Sequence, residues 1–472
     1  MPSSIEPIIH IDQELCTGCR RCASVCPVDA IIGERRSPQS VDPERCVICG
    51  QCVQVCSAYA AEGDPRMTTA TRSDKLRQRG QLQSVNEPLF AAYSAGHAPK
   101  LREALDDPKR FNIVQCAPVI RVSLAEEFGM PFGTLTPGKM ASALRRVGFD
   151  RIYDTNFGAD VTIMEEGAEL IGRVMAGEAL PMFTSCCPAW VKHAETAAPH
   201  LLHHLSSCKS PMQMVGALAK TYGAKAEGVS PGDMFSVAVM PCTCKKFESS
   251  REEMTVDGQR EVDLVITTRE LAQLIKDKGI DFNNLPDEPF DSPLGLYSGA
   301  GTIFGATGGV MEAAIRTGYE LVTHQALPDL RLEFIRGDEG LRTATVQLGD
   351  LELKVAIVAG LKYVHSILEE VSKGESPYHF IEVMACPEGC VSGGGQPKLL
   401  LERDRKAAYA ARKASIYSHD STLKIRKSHE NPAIVKLYDD YLGEPLGEVS
   451  HHLLHTKFCS RSPKSSGMMS SP

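Results

Sequence analysis

The sequence predicts an α/β fold with mainly parallel sheets, preceded by a small cysteine-rich domain. Three observations carry that expectation. From Phe111 onward, strand and helix signals alternate: FNIVQCAPVIRVSLAEEFG, KMASALRRVG and RIYDTNFG, then the later strands SVAVMPC, EVDLVITT, TATVQLGDLELKVAIVAG and FIEVMAC, the pattern of repeated βα units. An internal repeat at residues 11–56 sets the N-terminal part off as a unit of its own. The length, 472 residues, exceeds what a single core serves. The expected division is a small domain over 1–62, a polar helical connector over 63–110, the large α/β domain over 111–400 and a basic, helix-prone segment over 401–472. Thr136 and Pro137 read as N-cap and first-turn residues of one helix in the large domain.

Composition narrows the function classes. A formal net charge of −8 argues against nucleic acid or an anionic membrane surface as the main partner. MPSSIEPIIHIDQELC lacks the basic start and long apolar run of a signal peptide, and no later stretch offers about 18 uninterrupted apolar residues. A cytoplasmic enzyme is the expectation. In a reducing compartment, 17 cysteines grouped in CxxC-type motifs read as metal ligands rather than disulfides.

The repeat is IDQELCTGCRRCASVC echoed by VDPERCVICGQCVQVC. Each copy carries C-x2-C-x2-C-x3-C, the bacterial ferredoxin spacing for two [4Fe–4S] clusters, in which the fourth cysteine crosses to the other cluster. One cluster takes Cys16, Cys19, Cys22 and Cys56, the other Cys46, Cys49, Cys52 and Cys26. Ser57 stands where a second proline is expected. Zinc sites usually pair two CxxC groups across a longer loop, so a structural zinc explains this spacing less well.

Three further segments hold cysteines beside turn-forming residues: TSCCPAW (Cys186, Cys187), MPCTCKKFE (Cys242, Cys244) and EVMACPEGCVSGGGQP (Cys386, Cys390). The last places two thiols four apart beside Gly393, Gly394 and Gly395, which let backbone approach a bulky inorganic group. A third cubane needs four thiols, and Cys187, Cys242, Cys386 and Cys390 suffice. Cys186 then remains as a free thiol suited to carrying a proton. Cys116, Cys208 and Cys244 read as buried, small apolar residues. Gly305, Gly308 and Gly309 do not form G-x-G-x-x-G and read as close packing, and His429, His451, His452 and His455 read as capping or surface residues.

Taken together, TSCCPAW, MPCTCKKFE and EVMACPEGCVSGGGQP resemble the three signature motifs of the [FeFe]-hydrogenases. SHENP, LYDDYL and HHLLHT are similar to the small-subunit sequence that many members carry fused at the C-terminus. The resemblance implies a two-lobed hydrogenase catalytic domain behind an α+β ferredoxin-like domain. It also implies the H-cluster, a [4Fe–4S] cubane joined through a cysteine to a binuclear iron centre with CO, cyanide and a bridging dithiolate amine. By the same resemblance, Cys187, Cys242, Cys386 and Cys390 hold the cubane, with Cys390 as the bridge, and Cys186 is the proton-exchanging thiol. Lys245 matches the residue that bonds one cyanide, Ala117 and Pro118 match the backbone holding the other, and Met240, Met384 and Phe304 match pocket walls.

A proton route follows. Glu166, Glu169 and Arg173 fall at i, i+3 and i+7, on one face of a helix, and the family relay is matched by Cys186, Glu166, Ser206, Glu169 and Arg173. Met212, where many members have glutamine, and Val119, where a small or polar side chain is usual, depart from the common pattern. The implied activity is interconversion of H2 with protons and electrons, the electrons passing through the two ferredoxin-type clusters. A ferredoxin or flavodoxin is the expected carrier, and hydrogenase maturation factors are needed to install the cofactor.

Overall fold

The structure, a computed structural model, describes residues 7–65 and 67–461. The hexapeptide MPSSIE, part of the signal-peptide reading, and the last eleven residues of the expected C-terminal segment lie outside the described residues. None of the described helices is long and apolar enough to cross a membrane.

Two four-stranded sheets form the large domain. We number their strands β1 (Phe111–Cys116), β2 (Arg151–Asp154), β3 (Met182–Phe183), β4 (Met234–Met240), β5 (Leu264–Thr267), β6 (Gly340–Leu348), β7 (Leu351–Ala359) and β8 (Phe380–Met384). The first sheet runs β5-β4-β1-β2 and is parallel throughout. Its central strands are buried along nearly their whole length, as expected of a parallel sheet covered on both faces, and carry only Asn112, Gln115 and Ser236 as polar residues. The second runs β6-β7-β8-β3 and is parallel except for the β6–β7 hairpin. TATVQLGDLELKVAIVAG is therefore two antiparallel strands, turned at Gly349 with φ 61°. Mainly parallel α/β architecture is what the sequence predicts, and the two sheets form the two lobes.

The 22-residue helix α1 (Thr155–Ala176) follows β2 directly, with the Asp154 carboxylate accepting from the Asn156 amide at 2.9 Å as its N-cap. Thr136 makes no such capping bond to the helix Pro137–Val147, which relies on the proline at its first turn.

The N-terminal domain is not closed by residue 62. The connector contains two helices, Thr69–Gln78 and Ala98–Leu105, but also two strands that pair back. Ala92–Ser94 pairs antiparallel with Ile9–Ile11, and Leu89–Phe90 with Tyr59–Ala60. The domain shares an apolar core with the second lobe, in which Ile9, Val47 and Val53 pack with Trp190, Phe183 and Val358.

The glycine run behaves differently from its expected role. A Cβ at Gly394 would meet the Cys49 carbonyl at 2.5 Å, and one at Gly393 the Pro241 carbonyl at 2.3 Å. These glycines chiefly let three backbone segments close on one another, with only Gly393 reaching the cavity described below. Gly305 packs as expected, since a Cβ there would lie 2.3 Å from Val119.

The C-terminal segment wraps the catalytic domain and is fastened by buried charge. Arg412 pairs with Glu126 at 2.6 Å, Arg316 with Asp420 at 2.9 Å, and the Asp160 carboxylate accepts from Ser428 and Asn431 of SHENP at 2.8 and 3.0 Å. Each partner left alone would be an uncompensated buried charge or acceptor, which ties the segment to the domain.

Candidate functional site: a thiol-lined cavity between the lobes

In both sheets the loops that leave the C-terminal strand ends converge, the place where open α/β sheets build sites. β1 runs into Ala117 and Pro118, β3 into Cys186 and Cys187, β4 into Pro241 and Cys242, and β8 into Cys386 and Cys390. All of these residues line one largely apolar cavity, together with Met240, Met384, Phe304 and Lys245. The structure thus brings together the four thiols expected to hold a cubane, the free thiol Cys186 and every wall residue named from the sequence. Met212 also lines it, 1 % exposed, so the departure from glutamine faces the site. Val119 is fully buried behind the wall, against Gly305.

Four thiols in an apolar pocket are a costly arrangement for protein alone. Burial pushes Cys242 and Cys390 up to about 12, and Cys386 well above the ordinary thiol range. Cys187 is raised by burial too, offset in part by the amides of Ala385, Trp190 and Ala189 and by Lys245. A cationic iron–sulfur core supplies the positive charge that would make these sulfurs thiolates, so the donor set fits such a group. Amide donors already point at the sulfurs, Ala385 N–H at Cys187 and Gln51 Nε2 at Cys386, both at 3.4 Å. The same feature recurs in the N-terminal domain. Amides of Gln39, Ala92, Ala30 and Ile48 donate to Cys16, Cys56, Cys26 and Cys46 at 3.2–3.4 Å.

The eight repeat cysteines surround two small hollows. Cys16, Cys19, Cys22 and Cys56 share one, and Cys46, Cys49, Cys52 and Cys26 share the other, which is the crossed grouping expected from the spacing. The first includes exposed Cys19, whereas Cys49 and Cys52 of the second are buried toward the large domain.

On the opposite wall, Cys186 meets α1. Burial first, then the charge of Glu166, pushes its thiol well above the usual range, with Lys245 acting the other way. Glu166 is itself buried and raised to about 8 by desolvation and by Glu169, with Ser206 and the Ser185 amide near enough to temper the rise. It is a carboxyl that keeps its proton at neutral pH. Ser206 Oγ donates to Glu169 at 2.8 Å, the Ser207 amide donates to the same carboxylate at 3.1 Å, and Arg173 grips it at 2.7 Å. Arg173 reaches the surface with its side chain 16 % exposed. Lys245 donates to the Cys186 carbonyl at 3.2 Å and pairs with Glu248 at 2.6 Å. Burial lowers its pKa, but Glu248 leaves the ammonium raised overall.

Sequence reasoning missed what lies behind Glu169. His455, expected in a capping or surface role, is buried. Its Nε2 lies 3.0 Å from Glu165, and its Nδ1 lies 2.8 Å from Ser207 Oγ. Cys116, Cys208 and Cys244 are fully buried as expected, yet Cys208 also touches Glu169 and His455. Only HHLLHT hinted at this, and a histidine's burial is not legible from spacing. His429 is half-buried against Thr317 and Glu320, whereas His451 and His452 are exposed.

Three family models match in chain order: a 4Fe-4S dicluster domain over residues 8–57, the C-terminal domain of the iron-only hydrogenase large subunit over 110–394, and the iron hydrogenase small subunit over 406–461. The chain is 48 % identical to the NADP-reducing hydrogenase subunit HndD of Solidesulfovibrio fructosivorans over 76 % of its length. It is 46 % identical to iron hydrogenase 1 of Clostridium pasteurianum over 79 %. It spans 62 % and 65 % of the lengths of those two proteins. Its fold matches the apo [FeFe]-hydrogenase HydA1 of Chlamydomonas reinhardtii with a TM-score of 0.69 at 41 % identity, over 78 % of this chain and 100 % of that one. With the large-subunit model covering more than half of it, the chain belongs to the iron-only, or [FeFe]-, hydrogenase family, whose members are built around iron–sulfur clusters and the H-cluster.

Proposed function

We propose that the chain is an [FeFe]-hydrogenase that catalyses reversible H2 oxidation and proton reduction, with protons passing through Cys186 and electrons through two ferredoxin-type [4Fe–4S] clusters. The observation that carries this reading is the free thiol of Cys186 in the same cavity as Cys187, Cys242, Cys386 and Cys390, backed by the buried Glu166, whose pKa desolvation raises to about 8. When bound, the H-cluster supplies the iron at which H2 is split or formed. Cys187, Cys242, Cys386 and Cys390 hold its cubane, and Lys245, Ala117 and Pro118 orient its small ligands.

The residues of the chain do the rest. Met240, Met384 and Phe304 keep water from the cavity. Cys186 holds its proton as a thiol until a neighbour takes it. Glu166, neutral below about pH 8, exchanges a proton with it, and Ser206 links that carboxyl to Glu169 through its hydroxyl. Arg173 cannot give up its own proton at working pH, so it fixes Glu169 at the outlet. On the opposite side Cys46, Cys49, Cys52 and Cys26 hold one cluster beside the cavity, and Cys16, Cys19, Cys22 and Cys56 hold the other near the surface. A ferredoxin or flavodoxin is the carrier that fits, with maturation factors needed to load the site. We assign the small domain to 1–62, completed by the strands Leu89–Phe90 and Ala92–Ser94 of the connector 63–110, the catalytic domain to 111–400 and the small-subunit-like segment to 401–472; the cytoplasm is the compartment that suits cysteines grouped as metal ligands.

The test is anaerobic maturation followed by H2 evolution from a reduced dye. Turnover that falls by about 100-fold or more in Cys186→Ala, with cluster content unchanged, supports the assignment. A fully loaded protein without turnover would instead favour a sensor or an iron–sulfur assembly protein.

A further inference from the structure

Away from the cavity, one buried cluster carries metal-type ligands and touches the relay. Glu169, Cys208 and His455 each present one ligand atom, and the three atoms lie within 4.8 Å of one another. Glu169 comes from α1, and an isolated antiparallel bridge pairs Cys208 with His455 of the C-terminal segment. Cys208 Sγ is 3.8 Å from Glu169 Oε2 and 3.9 Å from His455 Nδ1. A tetrahedral ion with zinc-like bond lengths needs edges of about 3.5 Å, so these two sulfur edges need to close by only a few tenths of an ångström, and the Glu169–His455 edge, within 4.8 Å, by about 1.3 Å at most.

The surroundings prepare the histidine for ligation. Glu165 Oε2 lies 3.0 Å from His455 Nε2, and Glu165 also accepts from the Tyr438 hydroxyl at 2.5 Å and the Leu446 amide at 2.8 Å. A carboxylate so supported holds the imidazole proton on Nε2, which leaves the Nδ1 lone pair to accept from the Ser207 hydroxyl at 2.8 Å, with Cys208 Sγ next to it at 3.9 Å. This is the carboxylate–histidine–metal arrangement that fixes ligand tautomer and orientation. The charges also close. The Cys208 thiolate and the Glu169 and Glu165 carboxylates bring three negative charges, and the dication with Arg173, which pairs with Glu169, brings three positive ones, so the loaded group sums to zero. One thiolate, one imidazole and one carboxylate suit a borderline ion such as zinc and not calcium or magnesium, which require oxygen ligands.

We propose that Glu169, Cys208 and His455 form a binding site for a divalent cation of the zinc class, and that the bound ion closes the proton relay by occupying the Glu169 oxygen that Ser206 uses. On binding, the Cys208 S–H bond gives way to a sulfur–metal bond. The released proton leaves through Ser207, which is half-buried and now bonds His455 Nδ1 at 2.8 Å. Water takes the fourth position. Binding follows from the ligand geometry alone, and the closing of the relay rests on the proton route proposed above.

The experiment uses matured holoenzyme of verified iron content, titrated anaerobically with zinc chloride. It is followed by zinc X-ray absorption and by H2 evolution from reduced dye. One zinc per chain is expected, with a single sulfur at about 2.3 Å, and the rate falls as it fills. Cys208→Ala loses the sulfur contact, and both it and His455→Gln need about tenfold or more zinc for the same fractional inhibition, each against its own zinc-free rate. Equal zinc affinity and an unchanged ligand shell in the wild type and both variants would overturn the site. Zinc that binds through Cys208 without slowing turnover would establish the site and overturn the relay through Glu169.

Discussion

The two sides of the thiol-lined cavity are built from different materials. Behind the wall toward the N-terminal domain lie amides and glycine backbone: Gln51 donates to Cys386 at 3.4 Å, Gln54 donates to the Gln396 carbonyl at 2.9 Å, and Gly394 lies against the Cys49 carbonyl. Behind Cys186, toward α1, the groups are titratable or hydroxylic: Glu166, Ser206 and Glu169, with Ser206 and Glu169 in direct hydrogen bond. An electron needs only cofactors close together in a rigid, dry frame. A proton needs each hop to end on an atom that can hold it. On the proposed function, electrons leave on the first side and protons on the second, so substitutions on the two sides should fail differently.

The largest effect belongs to Cys186. Cys186→Ala should lower H2 evolution by about 10²–10⁴-fold, the range for a lost proton donor, while iron content and dye-reducible cluster signals stay unchanged. Glu169→Gln comes next. It keeps the shape but not the proton affinity, and a loss of about 100-fold measured in the same assay is expected. Arg173→Leu should cost less, about tenfold. That corresponds to one hydrogen bond to a charged group at about 1.5 kcal/mol, because Arg173 positions the carboxylate and passes no proton of its own.

The pH profile sharpens the comparison. Glu166 has its pKa raised to about 8 by burial, so it carries the relayed proton below that value and loses it above. The rate of H2 evolution should therefore fall on the alkaline side of about pH 8, with no matching change in the cluster spectra. The smallest effect lies on the electron side. Gln51→Leu removes one N–H···S bond from Cys386 and should lower the cubane potential by about 40 mV, one hydrogen bond of about 1 kcal/mol for one electron. A redox titration followed by electron paramagnetic resonance reads this shift, and turnover should change little.

The same contrast explains what the sequence made legible. The repeat cysteines declare their clusters because ligand spacing in a tight loop is local, and the crossed grouping follows from it. Glu166, Glu169 and Arg173 lie on one helix, so their period shows their common face. Ser206 joins them only because the chain returns 37 residues after Glu169, and it was found through family resemblance and not through physics. His455 reaches Glu165 across 290 residues, beyond any periodicity, and its sequence context suggests only a capping or surface role. Local pattern also misled at Gly393–Gly395, whose space serves backbone packing against Cys49 and Pro241 more than an inorganic group. At residues 89–94 a polar connector supplies two strands to the domain it was thought only to leave. The alternation of strand and helix from Phe111 onward was enough for the parallel sheets but not for the hairpin turned at Gly349.

Infrared spectroscopy of the matured protein, wild type beside Cys186→Ala, bears most directly on the central claim. The account predicts bands of bound CO and cyanide in both proteins and H2 turnover at least about 100-fold faster in the wild type. A fully iron-loaded wild type with no such bands, or a Cys186→Ala protein that turns over at the wild-type rate, would contradict it.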